Sequence, residues 1–318
     1  MPLRKRDRAK LLLIENSWRL SKAINVTLRD TSATGEVWLP ISGRLGLNLA
    51  GPPDADLLEP LRRILALRSG PIVDVGANVG MLLRCLLEID REVPYLAFEP
   101  DLSCCKYLDS FIRANQLQHH AVFPVGLADE QKVVELQFGE EGDVSATIMR
   151  GFRPAGMYAN RKRILVQPGD WLLSQMVAPT DRIRLIIIDA EGAEILVLKG
   201  LRKALDQHRP CLILEVSPYQ HFLDNTVDVA YFGSCSPEER VRIAEWRMAL
   251  VRDLDAFLES LGYAALKILR DGSLTRVASV DPGQQTSFAE LNYLALPTEE
   301  LRDTIQGLTA ASTTTHAP

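Results

Sequence analysis

The chain has 318 residues, of which 47% are hydrophobic and 24% charged, a composition typical of a soluble globular protein. Its formal net charge of −5 is opposite to the basic excess expected of a nucleic-acid-binding protein. No apolar run approaches the length of a membrane span, and five irregularly spaced cysteines do not form a disulfide framework. We therefore expect a cytoplasmic protein with reduced thiols, no integral membrane segment and no nucleic-acid partner.

Residues 1–50 are expected to form a lead-in to the main domain. The apolar spacing of residues 8–24 predicts an amphipathic helix with a basic beginning. We expect it to dock on the domain or on a partner subunit, as in a homodimer, with attachment to a membrane surface as the alternative. Residues 36–41 predict an edge strand, since Pro40 cannot donate a hydrogen bond to a central ladder.

From residue 51 to residue 297, short apolar runs alternate with amphipathic helical patterns. This alternation predicts an α/β domain with a doubly wound, mostly parallel sheet that is covered by helices on both faces. Residues 217–240 match none of these patterns until Ser236, Pro237 and Glu239 open a helix, so we expect an insertion or lid on the acceptor side. Residues 298–318 form a tail with a low-complexity end, which we expect to be disordered.

Residues 71–81 hold the most informative local pattern, a β-branched run that ends in a glycine turn and leads into a helix. Glycines in such a turn let backbone N–H groups approach a ligand. Gly76 and Gly80 stand four apart with Asn78 between them, which differs from the dinucleotide fingerprint G-x-G-x-x-G. Asp74, at the strand end, would suit a cationic amino group better than a pyrophosphate.

Five successive predicted strands end in or beside a carboxylate. The carboxyl ends of parallel strands lie along one edge of a sheet, where ligands of open α/β proteins bind. A single carboxylate there is often a helix cap, but five are hard to explain as caps alone. The residues are Asp74, Glu99, Asp129, the pair Asp189 and Glu191, and Glu215.

The spacing of these acids indicates a nucleoside ligand with a positive charge. Glu99 follows Asp74 by 25 residues and could accept both hydroxyls of a ribose, while Asp129 could accept an adenine amino hydrogen. S-adenosylmethionine, with its sulfonium and amino groups, fits this pattern. An NAD-linked dehydrogenase fits less well and stays as an alternative, as does a binding protein without catalytic activity.

The sequence resembles the FkbM family of methyltransferases from about residue 72 to 216 and again at 292–297. The motifs that carry the resemblance are Val-Asp-Val-Gly-Ala-Asn-Val-Gly (73–80), Ala-Phe-Glu-Pro (97–100), Asn115, residues 126–129, Gln-Pro-Gly-Asp-Trp-Leu (167–172), Ile-Asp-Ala-Glu-Gly-Ala-Glu (188–194), Leu-Lys-Gly (198–200), Pro210 and Glu215. The resemblance implies a class I, Rossmann-like methyltransferase fold with a seven-stranded sheet whose last strand is antiparallel. It also implies methyl transfer from S-adenosylmethionine, usually to a hydroxyl oxygen of a sugar, a glycan or a natural-product scaffold.

The resemblance also implies where the cofactor lies. The expected cofactor-binding residues are Asp74, Gly76, Ala77, Asn78 and Gly80 at the methionine end, Glu99 and Pro100 at the ribose, Leu127, Ala128 and Asp129 at the adenine, and Asp189 near the methyl group. The chain departs from the family at Ile187, where a lysine is frequent, so an amine base at that position is not expected.

Methyl transfer to an alcohol needs a group that takes the hydroxyl proton. The candidates are Asp189 and Glu191, followed by His221 in the insertion. A metal-dependent, catechol-type enzyme that uses Asp189 and Glu215 is an alternative. Such enzymes place a further oxygen ligand after the second acid, where this chain has Val216, so we expect a site without a metal.

Overall fold

The computed structural model describes residues 25–139, 142–178, 180–219, 235–281 and 290–300. The helix predicted at 8–24, the candidate His221 and the tail from residue 301 lie outside these ranges. None of the described helices is long and apolar enough to cross a lipid bilayer.

A central sheet of eight strands organises the described part of the chain. Side by side, the strands are β12 (Leu274–Arg276), β11 (Tyr263–Ile268), β13 (Asn292–Pro297), β10 (Cys211–Glu215), β9 (Leu185–Ile188), β3 (Ile72–Val75), β4 (Tyr95–Phe98) and β5 (His120–Phe123). The five strands from β10 to β5 are parallel, whereas β13 is antiparallel to both β10 and β11. The predicted mostly parallel sheet with an antiparallel last strand is confirmed.

The prediction of seven strands is wrong by one, because β12 adds an eighth at the edge of the sheet. Leu274 pairs with Ile268 and Arg276 with Leu266, so β12 is a short antiparallel extension of β11. It follows the turn at Gly272 in a mostly polar stretch. A three-residue strand with one apolar side chain has no periodicity by which a sequence could reveal it.

Helices cover both faces of the sheet, and alternate residues of each strand point to opposite faces. In β3, Ile72 packs in one core and Val73 in the other. The first face carries α1 (Ala55–Leu67), α2 (Met81–Leu86) and α3 (Leu102–Ala114). The second face carries α4 (Gly169–Met176), α5 (Glu194–Gly200), α6 (Arg202–His208) and α7 (Pro237–Ser260).

The edge strand predicted in the lead-in is one half of a hairpin. β1 (Asn25–Ser32) and β2 (Gly35–Ser42) form a two-stranded antiparallel sheet, and β2 packs against α3. The side chain of Asn115, at the end of α3, accepts a hydrogen bond from Trp38 N and donates one to Trp38 O, both at 2.8 Å. A buried ion pair of 2.8 Å between Arg84 in α2 and Asp30 in β1 attaches the hairpin to the domain.

A second, three-stranded sheet stands beside the carboxyl edge of the central sheet. It consists of β6 (Gly126–Leu127), β8 (Asn160–Gln167) and β7 (Lys132–Phe138), with β8 in the middle. The predicted pairing of 132–138 with 163–166 is confirmed as an antiparallel ladder. One face of this small sheet places Leu136, Ile164 and Val166 in an apolar cluster, and these side chains also line the cleft described next.

Candidate functional site

A cleft of about 200 Å³ opens at the carboxyl edge of the central sheet. Eight of the residues that line it carry carboxyl groups, and none of the described lining residues is lysine, arginine or histidine. The acids are Asp54, Asp74, Glu99, Asp101, Asp143, Asp189, Glu191 and Glu215. We call this the acidic cleft. Such a lining favours a positively charged ligand and disfavours a pyrophosphate.

The glycine turn after β3 forms the floor of the acidic cleft. Gly76 has φ +87°, and a Cβ atom there would lie 1.8 Å from the carbonyl oxygen of Asp189. Only glycine therefore lets the ends of β3 and β9 approach each other so closely. Gly76, Ala77 and Asn78 line the cleft, whereas Gly80 caps α2 behind it with φ +93°.

Asp74 points from β3 towards the face covered by α1, α2 and α3. It is 3% exposed and accepts a short hydrogen bond from the hydroxyl of Tyr95. Burial raises the pKa of Asp74 to about 7, and the Tyr95 hydrogen bond lowers it only in part. A cation in the cleft would favour the ionised form of this carboxyl group.

Glu99, at the end of β4, is fixed by the turn it faces. Its two oxygens accept hydrogen bonds from Asn78 N at 2.9 Å and from Asp101 N at 2.7 Å. Asn78 has a left-handed backbone, with φ +45°, which brings its N–H towards Glu99. Burial nevertheless raises the pKa of Glu99 to about 7. Each carboxylate oxygen has a second lone pair and can still accept a ligand hydroxyl.

The residues expected at the adenine divide into two groups. Pro100 and Leu127 line the cleft, but Ala128 is buried outside its lining and Asp129 is exposed. The end of the cleft beside Pro100 and Leu127 is instead apolar, and we call it the apolar slot. Its further side chains are Leu136, Ala146, Ile148, Ile164 and Val166. The period-2 pattern of β7 indicated a strand, but not that its inner face would meet the cleft.

Asp189 and Glu215 stand side by side at the ends of β9 and β10, because Ile188 and Leu214 are paired in the parallel ladder. Burial and then the neighbouring Glu215 raise the pKa of Asp189 well above its ordinary value. Burial and then Glu191 raise the pKa of Glu215 to about 8. Two buried carboxyl groups in this position hold a proton more tightly than isolated ones.

Glu191 completes a cluster in which carboxylate oxygens of Asp189, Glu191 and Glu215 lie within 4.8 Å of one another. Three such oxygens could hold a metal ion. Glu191 also forms an ion pair of 2.5 Å with Arg153, a residue that sequence reasoning did not select. Arg153 lies 38 residues away in the loop between β7 and β8, and no local pattern indicates that it returns to the site.

Backbone contacts hold the turn that carries these acids. Glu191 has φ +49°, a conformation that is costly for residues other than glycine. The hydroxyl of Thr147 donates to its carbonyl oxygen at 2.6 Å. Glu194, at the start of α5, accepts from Ala190 N at 3.2 Å and Gly192 N at 3.0 Å. Glu194 therefore holds the turn before α5.

An open, mostly parallel α/β sheet with a cleft at its carboxyl edge is the arrangement in which many α/β proteins bind small ligands. The chain matches the model of the methyltransferase FkbM domain over residues 74–264, more than half of its length. It belongs to this family of methyltransferase domains. A comparison with curated proteins finds no match.

Solved structures similar to this chain include the methyltransferase FkbM from Methylobacillus flagellatus KT, at 18% identity over 73% of this chain and with a TM-score of 0.37. The chain spans 45% of that protein. The O-methyltransferase from Bacillus cereus in complex with SAH has 14% identity over 77% of this chain and 80% of its own, with a TM-score of 0.39. The O-methyltransferase TomG from Streptomyces achromogenes in complex with SAM has 11% identity over 78% and 81%, with a TM-score of 0.39.

Asp74→Asn is expected to stabilise the ligand-free protein above neutral pH. The folded-state pKa of Asp74, about 7, lies above its ordinary 3.8, so the wild type loses stability as pH rises through this interval. Asparagine has no charge to bury, and the variant should be more stable by about 2 to 4 kcal/mol near pH 8 and nearly equal near pH 4. Chemical unfolding of the wild type and the variant at several pH values measures the difference in their unfolding free energies. A difference that is the same at every pH would contradict the prediction.

Proposed function

We propose that the protein is an S-adenosylmethionine-dependent methyltransferase that transfers the methyl group to a hydroxyl oxygen of a sugar, a glycan or a natural-product small molecule. The acidic cleft is the observation that carries the proposal. A ligand with a sulfonium and an amino group gains from the carboxyl groups of the cleft that are ionised, whereas these groups would repel the pyrophosphate of NAD. Membership of the FkbM methyltransferase family supports the same reaction class.

The lining of the cleft suggests a place for each part of the cofactor. Asp74 and the turn formed by Gly76, Ala77 and Asn78 would hold the methionine end. Glu99 would accept the ribose hydroxyls, with its carboxylate held in place by backbone N–H groups. The apolar slot beside Pro100 and Leu127 would hold the adenine ring. In this proposal Asp129 has no direct contact with the cofactor.

The acids at the ends of β9 and β10 would serve the acceptor. When bound, S-adenosylmethionine would supply an electrophilic methyl carbon, with its sulfur as the leaving group when the acceptor oxygen forms the new bond. The pair Asp189 and Glu215 would hold the attacking hydroxyl and take its proton. Because Arg153 already pairs with Glu191, we assign to Glu191 an orienting role rather than that of the base.

The cleft should prefer S-adenosylmethionine to S-adenosylhomocysteine, and more strongly as pH rises. The two ligands differ by the charged methylsulfonium, and a cation binds best when the raised-pKa acids are ionised. We expect similar affinities near pH 6 and about a tenfold preference for S-adenosylmethionine near pH 8.5. Isothermal titration of both ligands measures the ratio. A ratio that is independent of pH would contradict the electrostatic argument, and binding of NAD alone would favour a dehydrogenase.

Glu99→Ala is expected to abolish most of the thermal stabilisation by S-adenosylhomocysteine. The substitution removes the ribose acceptor and leaves the N–H groups of Asn78 and Asp101 without their partner. A loss of binding by about tenfold or more would lower the ligand-induced stabilisation by at least ~1.4 kcal/mol. Asp129→Ala, on the exposed neighbour of the apolar slot, is the matched control and should bind as the wild type does. Equal binding of S-adenosylhomocysteine by both variants would contradict the assignment of Glu99 to the ribose.

The carboxylate cluster favours one second candidate, a metal-dependent methyltransferase of the catechol type. Glu191 supplies the third oxygen that Val216 cannot, although its ion pair with Arg153 already neutralises its charge. If a divalent ion is needed, EDTA should abolish methyl transfer and Mg²⁺ should restore it. Activity that is unchanged by EDTA would exclude this candidate.

A further inference from the structure

Arg247, in α7, is a charged side chain deep in the protein. It is 2% exposed and donates to the carbonyl oxygen of Phe152 through Nε at 3.0 Å and Nη2 at 2.8 Å. Its Nη1 donates to the carbonyl oxygen of Pro218 at 2.6 Å. Burial, followed by the nearby Arg153, lowers the pKa of Arg247 to about 9. Such burial of a guanidinium is costly, so it is a poor choice for packing alone.

The contacts of Phe152 connect Arg247 with the turn that carries the acids. The guanidinium carbon of Arg247 lies 4.2 Å from the centre of the Phe152 ring. The ring also packs against Gly192, where an added Cβ atom would lie 2.6 Å from Phe152 Cδ2. The ring of Trp246 meets Phe152 edge-on at 5.9 Å. Phe152 is therefore held between α7 and the turn.

The next residue along the chain, Arg153, reaches the acids directly. Its side chain is 7% exposed and that of Glu191 is 10% exposed, so their ion pair is largely removed from water. Glu191 keeps a strained backbone at this point, with φ +49°. A continuous path of contacts therefore leads from Arg247 through the Phe152 backbone to Arg153 and Glu191.

We infer that Arg247 is a positioning residue: by fixing the Phe152 carbonyl, it holds Arg153 against Glu191 and so sets the charge beside Asp189 and Glu215. The inference rests on the proposed function, because that charge faces the transferred methyl group only if S-adenosylmethionine binds in the acidic cleft. Without Arg247, the backbone that carries Arg153 is no longer held in place, so Arg153 no longer stays paired with Glu191. The negative charge of Glu191 then adds to that of the two acids.

The ratio of the affinities for S-adenosylmethionine and S-adenosylhomocysteine reports this charge. At about pH 7, Arg153→Met should raise the preference for S-adenosylmethionine by roughly threefold to tenfold over the wild type. Arg247→Met should shift the ratio in the same direction. The double variant should differ from Arg153→Met by less than about twofold, because Arg247 acts through Arg153.

Arg84→Met is the matched control, since Arg84 is also buried in ion pairs, but its partners Asp30 and Glu88 do not line the cleft as Glu191 does. It should lose stability without a change in the ratio. All titrations are made at a temperature at which circular dichroism shows each variant folded. Arg247→Lys keeps the charge but not the planar fork that bonds two carbonyls, and should also raise the ratio by about twofold or more.

The possible results distinguish failure of the inference from failure of the proposed function. If the wild type binds neither ligand, the proposed function fails, and the inference fails with it. If the wild type binds both but Arg247→Met and Arg247→Lys keep its ratio, the inference alone is wrong. Additive shifts in the double variant would mean that Arg247 acts through its own charge, which also overturns the inference.

Discussion

The close approach of the ends of β3 and β9 is the constraint on which the cleft depends. Asp189 N donates to Val75 O at 3.0 Å, and the space that a Cβ atom of Gly76 would need is taken by the Asp189 carbonyl oxygen. Because these two strand ends meet, Asp74 and Asp189 line one cleft although 115 residues separate them in the chain. A side chain at position 76 would push the strands apart and widen the site.

This packing concentrates carboxyl groups where water is largely excluded. Ionising them there costs free energy, and their pKa values are therefore raised. Burial is the largest cause at Asp74, Glu99, Asp189 and Glu215. A ligand-free cleft of this kind is therefore partly protonated at neutral pH and weakens the folded state as it ionises. A bound cation favours the ionised carboxyl groups and so stabilises the folded state. The stability that the fold gives up in the empty cleft is recovered in part as binding free energy.

Local patterns were enough to predict the side of the cleft that carries Asp74 and Glu99. The apolar run before Gly76 and the acids at the strand ends indicated the sheet, its carboxyl edge and the positions of Asp74 and Glu99. The apolar slot was missed because Ile164 and Val166 belong to a second sheet, whose packing over the first is a tertiary property. Asp129 was expected in the cleft for its position after a strand, but the β6 segment turns it outward to solvent.

The side of the cleft that carries Asp189, Glu191 and Glu215 is built differently, which explains why the sequence predicts so little of its surroundings. Asp189 and Glu215 stand on strands. Their neighbour Glu191 is paired with Arg153 from a long loop, and Arg247 from α7 donates to the carbonyl oxygen of Phe152. These contacts span 38 and 95 residues along the chain. A loop and a helix can change in sequence without disturbing the sheet, whereas substitution of Gly76 or Glu99 would disturb the strand ends that form the cleft. The charge beside Asp189 and Glu215 can therefore be adjusted from outside the sheet while the turn at Gly76 stays unchanged.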